Sequence, residues 1–384
     1  MKFFYIDESG HTGNRLFDPD QPTLFYGVLR SDVNLDVVAE PSVARMRKKL
    51  GVARLHAGEF GNAGLASIGG DLLALQKKLR FTFDFYRVKK PDLSIISFYD
   101  QVFDAGLNPA TGWTHYWTPM RYVMLLKLAT LFDEAIAADA WAARIQTKDA
   151  KAHPLLKSVC ERLIARVGEL PDQRSRILIG DALTWAIANP EKLSYNASDA
   201  EMVKQVAPNI IGFQFVMNGI ARRLRLAESR AARIVVDRQT EFNEAQKVLA
   251  TGYARATGLR QRMGPGLPEI DMRNMPKIPL TVLPGTQSAG LELVDVHLWC
   301  FKRILDRKDV ADAGIDLFNA HAGRGRTEQL SLRALEERWE AWFSDLPEMN
   351  ELNPQQIAFA HQIMTKQEAQ RQRRMLGSKV EIVG

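Results

Sequence analysis

Four stretches of the chain carry acids in positions where acids do chemistry together. Asp7 follows the run Lys2-Phe-Phe-Tyr-Ile, Asp237 follows Arg233-Ile-Val-Val, Glu292 and Asp295 lie three residues apart after Gln287-Ser-Ala-Gly-Leu, and Glu59 lies three residues after His56. Carboxylates gathered in one place repel and raise each other's pKa unless a cation neutralises them, so convergence of these stretches predicts a bound divalent metal. Ligation by oxygen alone favours Mg²⁺ or Mn²⁺ over zinc. A pair of such ions held by shared carboxylates activates water and stabilises the leaving oxygen in phosphodiester hydrolysis. Several of these groups also have an ordinary explanation, Asp295 less readily than Glu292. Asp237 would serve as N-cap for a helix starting near Glu241, Glu292 as partner of its helix dipole, His56 as a loop cap and Glu59 as a solvated charge.

The elements that must position these residues are read from periodicity. Arg233-Ile-Val-Val-Asp is a short β-branched run bounded by polar turn residues, a buried central strand with an acid at its carboxyl end, the edge where ligands gather in open α/β sheets. The aromatic run 2–7 is a first strand; residues alternate faces along it, so Asp7 and Glu8 point to opposite sides, and Asp7 is taken for the site. Residues 23–29 make a second strand, 37–50 a helix with a basic last turn, 54–61 a polar loop, 71–78 a helix and 80–88 a third strand halted at Lys89-Lys90-Pro91. From 93 to 227 the spacing turns helical. After the Asp237 strand, a helix over 241–259, a Gly/Pro loop and a fifth strand over 278–283 form a parallel crossover. Ser288 then caps a helix whose apolar face is Leu291, Val294 and Leu298, with Glu292 and Asp295 neighbours on another face. Three further helices are expected over 311–318, 330–343 and 354–372.

The fold class expected is α/β, a mixed five-stranded sheet with a large helical insertion and C-terminal helices. Its parts are 1–92 and 230–305 for the core, 93–229 for the insertion and 306–384 for the C-terminal extension. A chain of 384 residues, 46% hydrophobic and 25% charged, is long enough for a large core. Its two cysteines, Cys160 and Cys300, stand far apart and suggest neither a disulfide framework nor a zinc site. No run of about 18 apolar residues would span a bilayer, and the N-terminal run reaches an acid too soon for a signal peptide, so a cytoplasmic protein without a membrane partner is expected.

A net charge of +6 admits a polyanionic partner. Among the basic clusters, Arg222, Arg223, Arg238, Lys89 and Lys90 are the candidates for nucleic-acid contact. The patch Trp113-Thr-His-Tyr-Trp-Thr-Pro-Met-Arg121 is either an aromatic core cluster or a surface on which unpaired bases stack. No Walker loop, nucleophile elbow, His-Glu-x-x-His helix or dinucleotide fingerprint is present.

The pieces Tyr5-Ile-Asp-Glu-Ser-Gly10, Leu55-His-Ala-Gly-Glu-Phe60, Val235-Val-Asp237 and Gln287-Ser-Ala-Gly-Leu-Glu-Leu-Val-Asp295 resemble, in this order, the recurring blocks of the domain-of-unknown-function family numbered 3800. That family occurs in bacteria, phages and mobile elements and is regarded as ribonuclease-H-like in fold. The resemblance covers residues 1 to about 305, with the central helices as an insertion. It implies that Asp7, Asp237 and Asp295 take the places of metal-binding acids, with Glu59 a fourth; Glu292 stands where the family usually has Gln. Two functions follow. One is a metal-dependent nuclease acting on RNA, DNA or a hybrid, in phage defence or a mobile element, with Asp7 bridging two ions, Asp237 and Asp295 holding one each, and Glu59 or His56 assisting. The other is a non-catalytic nucleic-acid-binding or protein-interaction module, alone or as a homo-oligomer, whose helical parts form the working surface.

Overall fold

Asp7 and Asp237 sit on neighbouring central strands of a six-stranded mixed sheet. The computed structural model describes residues 1–10 and 13–380. Its strands are β1 (Lys2–Ser9), β2 (Thr23–Ser31), β3 (Thr82–Lys89), β4 (Ala231–Asp237), β5 (Arg260–Arg262), β6 (Glu269–Asp271), β7 (Leu280–Leu283) and β8 (Thr327–Leu330). The main sheet runs β7-β4-β1-β2-β3-β8, and β5 with β6 forms a separate ribbon. The pairs β1–β2 and β2–β3 are antiparallel, while β1–β4 and β4–β7 are parallel. The parallel half follows from the connection: the helix Asn243–Arg255 carries the chain from the end of β4 back to the start of β7.

Side-chain alternation divides the sheet into two buried faces. Tyr5, Phe25, Leu29, Phe83, Phe85 and Val235 belong to one core, closed by the helices Glu40–Leu50, Ala57–Leu79 and Ala289–Leu305. The residues between them turn to the other face, where Tyr26 and Tyr86 meet the helix Pro208–Leu226. That helix lies so close that a Cβ on Gly212 would stand 2.8 Å from the Tyr26 ring, and one on Gly219 would overlap the Tyr86 hydroxyl. Cover on both faces is why the central strands read as continuous apolar runs.

Five strands are expected and the main sheet has six. Thr327–Leu330 is too short to show a period of its own. It is positioned from a distance: the Asp84 carboxylate of β3 accepts from the Arg326 N–H (2.9 Å) and grips the Arg223 guanidinium, which also donates to the Arg324 carbonyl (2.8 Å).

The chain divides into two compact units. One comprises Met1–Lys89, Lys204–Arg260 and Asp271–Gln329; the other comprises Lys90–Val203, Gln261–Ile270 and Leu330–Gly384. The borders therefore differ from those read in the sequence. Residues 208–226 belong with the sheet because their small and apolar side chains cover β2 and β3, and the last part of the chain is shared between both units.

The second unit is helical, with Lys90–Val102, Met120–Ala129, Glu134–Arg144, Asp149–Arg166, Gln173–Ala188, Leu332–Ser344 and Pro354–Val380 its main elements. Its aromatic patch is mostly core: Tyr116 is buried, Arg121 lies over the Tyr116 and Tyr122 rings and pairs with Asp100, and Tyr122 stacks on Trp339 at 4.3 Å. Trp113 is exposed. Among the described residues no helix is long and apolar enough to cross a membrane.

Candidate active site

The register of the two central parallel strands aligns Ile6 with Val236, so Asp7 and Asp237 are the next residues along adjacent strands. Both continue the face of Tyr5 and Val235, which the helix Ala289–Leu305 covers. Glycine makes this approach close enough: a Cβ at Gly290 would fall 2.1 Å from the Tyr5 ring, which no neighbouring turn of the chain could accommodate unmoved. The helix start is fixed by the Ser288 hydroxyl, which accepts from the Leu291 N–H (3.1 Å), and by Asp36, whose carboxylate accepts from Ser288 (2.6 Å) and from the Gly290 N–H (3.2 Å). The result is a small cavity, about 20 Å³, lined by Asp7, Arg54, Leu55, His56, Asp237, Gly285, Leu291, Glu292 and Asp295. That is room for about one water or one ion.

The helix also holds the far wall. Leu55 N–H donates to Glu292 Oε2 at 2.6 Å, Ala57 N–H donates to Asp295 Oδ2 at 2.9 Å, and His56 Nδ1 lies 3.0 Å from Asp295 Oδ1. Glu292 and Asp295, a single turn apart, thus clamp three consecutive residues. Segment 54–61, read as a loop, is therefore the N-terminus of a helix, Ala57–Leu79, that bends at Gly61 where φ is 59°. His56 is its N-cap residue, but the capping carboxylate is the distant Asp295.

The electrostatics are those of crowded acids. Burial first, then Glu8, Asp295 and Asp237, hold the Asp7 carboxyl well above its usual range. Burial also raises Asp237, against the opposing pull of the Arg238 and Gly285 N–H groups and of Arg54. Asp237 Oδ1 is buried without a hydrogen-bond partner. Glu8 lies on the opposite face, where it accepts from the Gln239 amide; burial and Asp237 push it to about 8. His56 is raised, chiefly by its hydrogen bond to Asp295.

A divalent cation would meet a suitable but incomplete donor set. Asp7 has one oxygen engaged by the Glu8 N–H (2.8 Å), Asp237 Oδ1 has none, and both carboxyls are destabilised as anions in the way a dication would relieve. Among the described residues, however, no three His, Cys, Asp or Glu side chains stand close enough together to hold an ion as placed. The chemistry of the oxygen donors fits Mg²⁺ or Mn²⁺.

The remaining sequence candidates disperse. Glu59 does not line the cavity: its side chain is 58% exposed and pairs with Arg54 at 3.5 Å. Glu292 is 3% exposed, and Arg47 approaches the oxygen that Leu55 already engages (3.6 Å), so it braces the wall more than it faces the cavity. Of the five cations, Arg222 and Arg238 are exposed and Lys89 is half-buried. Arg223 is committed to Asp84, and Lys90 is 1% exposed, which removes both from any open phosphate-binding surface. Their sequence runs are basic, but strand and helix faces turn individual members inward.

Three contributors escape the sequence reading: Arg54 and Gly285 in the cavity wall and Asp36 behind the helix start. Arg54 stands beside the quoted Leu55-His56 pair, and that adjacency is its only signal in the sequence. Asp36 and Gly285 carry none.

Compared with protein-family models, curated proteins and solved structures, the chain matches none of them.

Proposed function

We propose that the chain is a divalent-metal-dependent nuclease of ribonuclease-H-like architecture that hydrolyses phosphodiester bonds in RNA, DNA or a hybrid. The observation that carries this reading is the pair Asp7 and Asp237, side by side on parallel strands and raised in pKa, with a buried Asp237 oxygen that lacks a partner. Two carboxylates so placed cost free energy as anions until a proton or a cation neutralises them. The mixed sheet with acids at its carboxyl edge suits the architecture, and the resemblance to family 3800 supports both parts and a setting in phage defence or a mobile element.

Asp7, Asp237 and Asp295 would hold Mg²⁺ or Mn²⁺. When bound, such ions supply an activated water and stabilise the leaving oxygen. The chain's own residues do the rest. Arg54, in the cavity wall with its side chain 36% exposed, attracts the phosphodiester anion. His56, held at Nδ1 by Asp295, is oriented to pass a proton through its other ring nitrogen, and a raised pKa keeps it charged to higher pH than a free imidazole.

One observation favours the second reading, a non-catalytic nucleic-acid-binding or protein-interaction module: Glu292 and Asp295 already have a structural use in clamping residues 55–57. Thermal unfolding separates the two. A ligand that binds only the native state adds about 2.7 kcal/mol at 100 times its Kd, so Mg²⁺ or Mn²⁺ should raise the midpoint of the wild type by several degrees. Asp237→Asn should fold and show no shift. A wild-type midpoint indifferent to millimolar-scale metal favours the module.

A further inference from the structure

The opposite edge of the same two strands is hollow and basic. A cavity of about 490 Å³ opens at the amino end of β4, between Leu224 and Ser229 at the end of the helix Pro208–Leu226 and the segment 274–278 that leads into β7. A second, about 330 Å³, shares Lys277 and Ile278 with it and continues beside the helix Asn243–Arg255 to Leu280, the first residue of β7. Together they are lined by three cations, Arg230, Lys277 and Lys247, and by no acidic residue. Arg230 and Lys277 are exposed, and Lys247 is engaged by an exposed Glu244 (2.6 Å), an ion pair of the kind that contributes little and yields readily to phosphate.

The position of these hollows gives them a direction. β7 is the edge strand of the sheet and runs parallel to β4, with Leu280 beside Ile234 and Leu283 beside Asp237. Two residues beyond Leu283, Gly285 lines the acid cavity. The basic hollows and the acids therefore mark the two ends of one strand pair, separated by roughly 20 Å at about 3.3 Å per residue. They lie on opposite faces of it, the hollows beside the helices Pro208–Leu226 and Asn243–Arg255 and the acids beside Ala289–Leu305, so that a strand joining them rounds the β7 edge. Volumes of this size take a nucleotide rather than a duplex. A single small anion would need one cationic hollow; two adjoining ones, with cations in each and an edge leading from them to the acids, suit an extended polyanion.

We propose that the β7 edge is the track along which a single-stranded nucleic acid reaches the acid cavity, with phosphates at Arg230, Lys277 and Lys247 and apolar contact at the half-buried Ile278. The proposal rests on the nuclease reading and names the substrate form and its path. Phosphate contacts of this kind position the chain without reading its sequence, so the preference is for strandedness over base identity.

The test uses the full chain carrying Asp7→Asn, which removes turnover, with and without Arg230→Glu and Lys277→Glu. Binding of a labelled strand of about 12 nucleotides is followed across salt concentrations. The double substitution should raise Kd more than tenfold at about 50 mM salt and flatten the log–log salt slope by about 1.4, two contacts at about 0.7 each. In the otherwise wild-type chain the same pair should raise KM with kcat little changed. Arg230→Gln with Lys277→Gln should act in the same direction but less, and an unchanged thermal midpoint shows that each variant is folded. If wild type cleaves and binds but Kd, slope and KM are indifferent to these residues, the track is wrong and the nuclease reading stands. If AMP displaces the strand at its own concentration scale, the hollow is a mononucleotide site and the track is again wrong. Absence of both binding and cleavage in the unsubstituted chain overturns the nuclease reading itself.

Discussion

Asp7 and Glu8 are adjacent in sequence and face opposite sides of the sheet, and this is a consequence of strand geometry that a sequence already contains. Asp7 meets Asp237 and Asp295, whereas Glu8 meets Gln239. What sequence leaves open is whether an acid is free. Asp295 and Glu292 look alike as neighbours on a helix face, yet Glu292 is engaged at Oε2 alone, by Leu55 and Arg47, while Asp295 is engaged at both oxygens, by the Ala57 N–H and by the imidazole it orients. Glu59, beside His56 in the same motif, ends up at the surface. A second pair of residues shows how burial sets protonation. His297 and His321 pack in the core with ring centroids 5.1 Å apart among Phe81 and Phe83, and burial lowers them to about 4 and about 2. In the unfolded chain both would titrate near 6.5, so below that pH the unfolded state binds more protons and stability falls as pH falls, by up to about 1.4 kcal/mol per pH unit for each. Asp7, Glu8 and Asp237, held above their ordinary values, act in the opposite sense, so the test is a difference. From pH 7 to pH 4.5 the urea midpoint of the wild type should fall relative to that of His297→Phe, which keeps an aromatic ring without the titrating nitrogen. A slope unchanged by that substitution would show that His297 does not titrate as its burial implies.

At the scale of elements, the central strands were legible because buried strands are apolar runs with polar ends, and the long amphipathic helices because their period is their own. The start of the helix Ala57–Leu79 was not legible, because its capping carboxylate comes from Asp295, 238 residues away in sequence. For the same reason β8 was invisible: Asp84 and Arg223 hold its approach, and a strand of four residues has no pattern to read. Composition alone groups the helix Pro208–Leu226 with the insertion, although its glycines are spaced to admit Tyr26 and Tyr86. Gly290 is the corresponding device on the other face. Gly290→Ala would set a methyl group 2.1 to 2.5 Å from three atoms of the Tyr5 ring, so ring or helix must move. Overpacking of this kind costs about 1–3 kcal/mol, and because the displaced helix carries Asp295, metal response and activity should fall with it. Circular dichroism melts check the first part; a Gly290→Ala chain as stable as wild type would mean that the helix does not pack as closely as described.

At the scale of the whole molecule, an α/β unit and a helical unit are interleaved along one chain. The α/β unit has acids at one end of its β4–β7 pair and cations at the other. Such a distribution draws a polyanion to one place and neutralises crowded carboxylates with a metal at another, without requiring the same residues to do both. The separation gives the central claim its sharpest consequence: substitutions among the acids should abolish hydrolysis while leaving affinity almost intact. The measurement is cleavage of end-labelled RNA, DNA and hybrid substrates, with Mg²⁺, Mn²⁺ or Ca²⁺, by wild type, Asp7→Asn, Asp237→Asn and Asp295→Asn purified identically. Wild type should cleave with Mg²⁺ or Mn²⁺, and Asp7→Asn and Asp237→Asn should lose several orders of magnitude in rate at unchanged strand affinity. Asp295→Asn should lose nearly as much. Cleavage that persists undiminished in Asp7→Asn and Asp237→Asn, or its absence from wild type with every metal and substrate, would contradict the account.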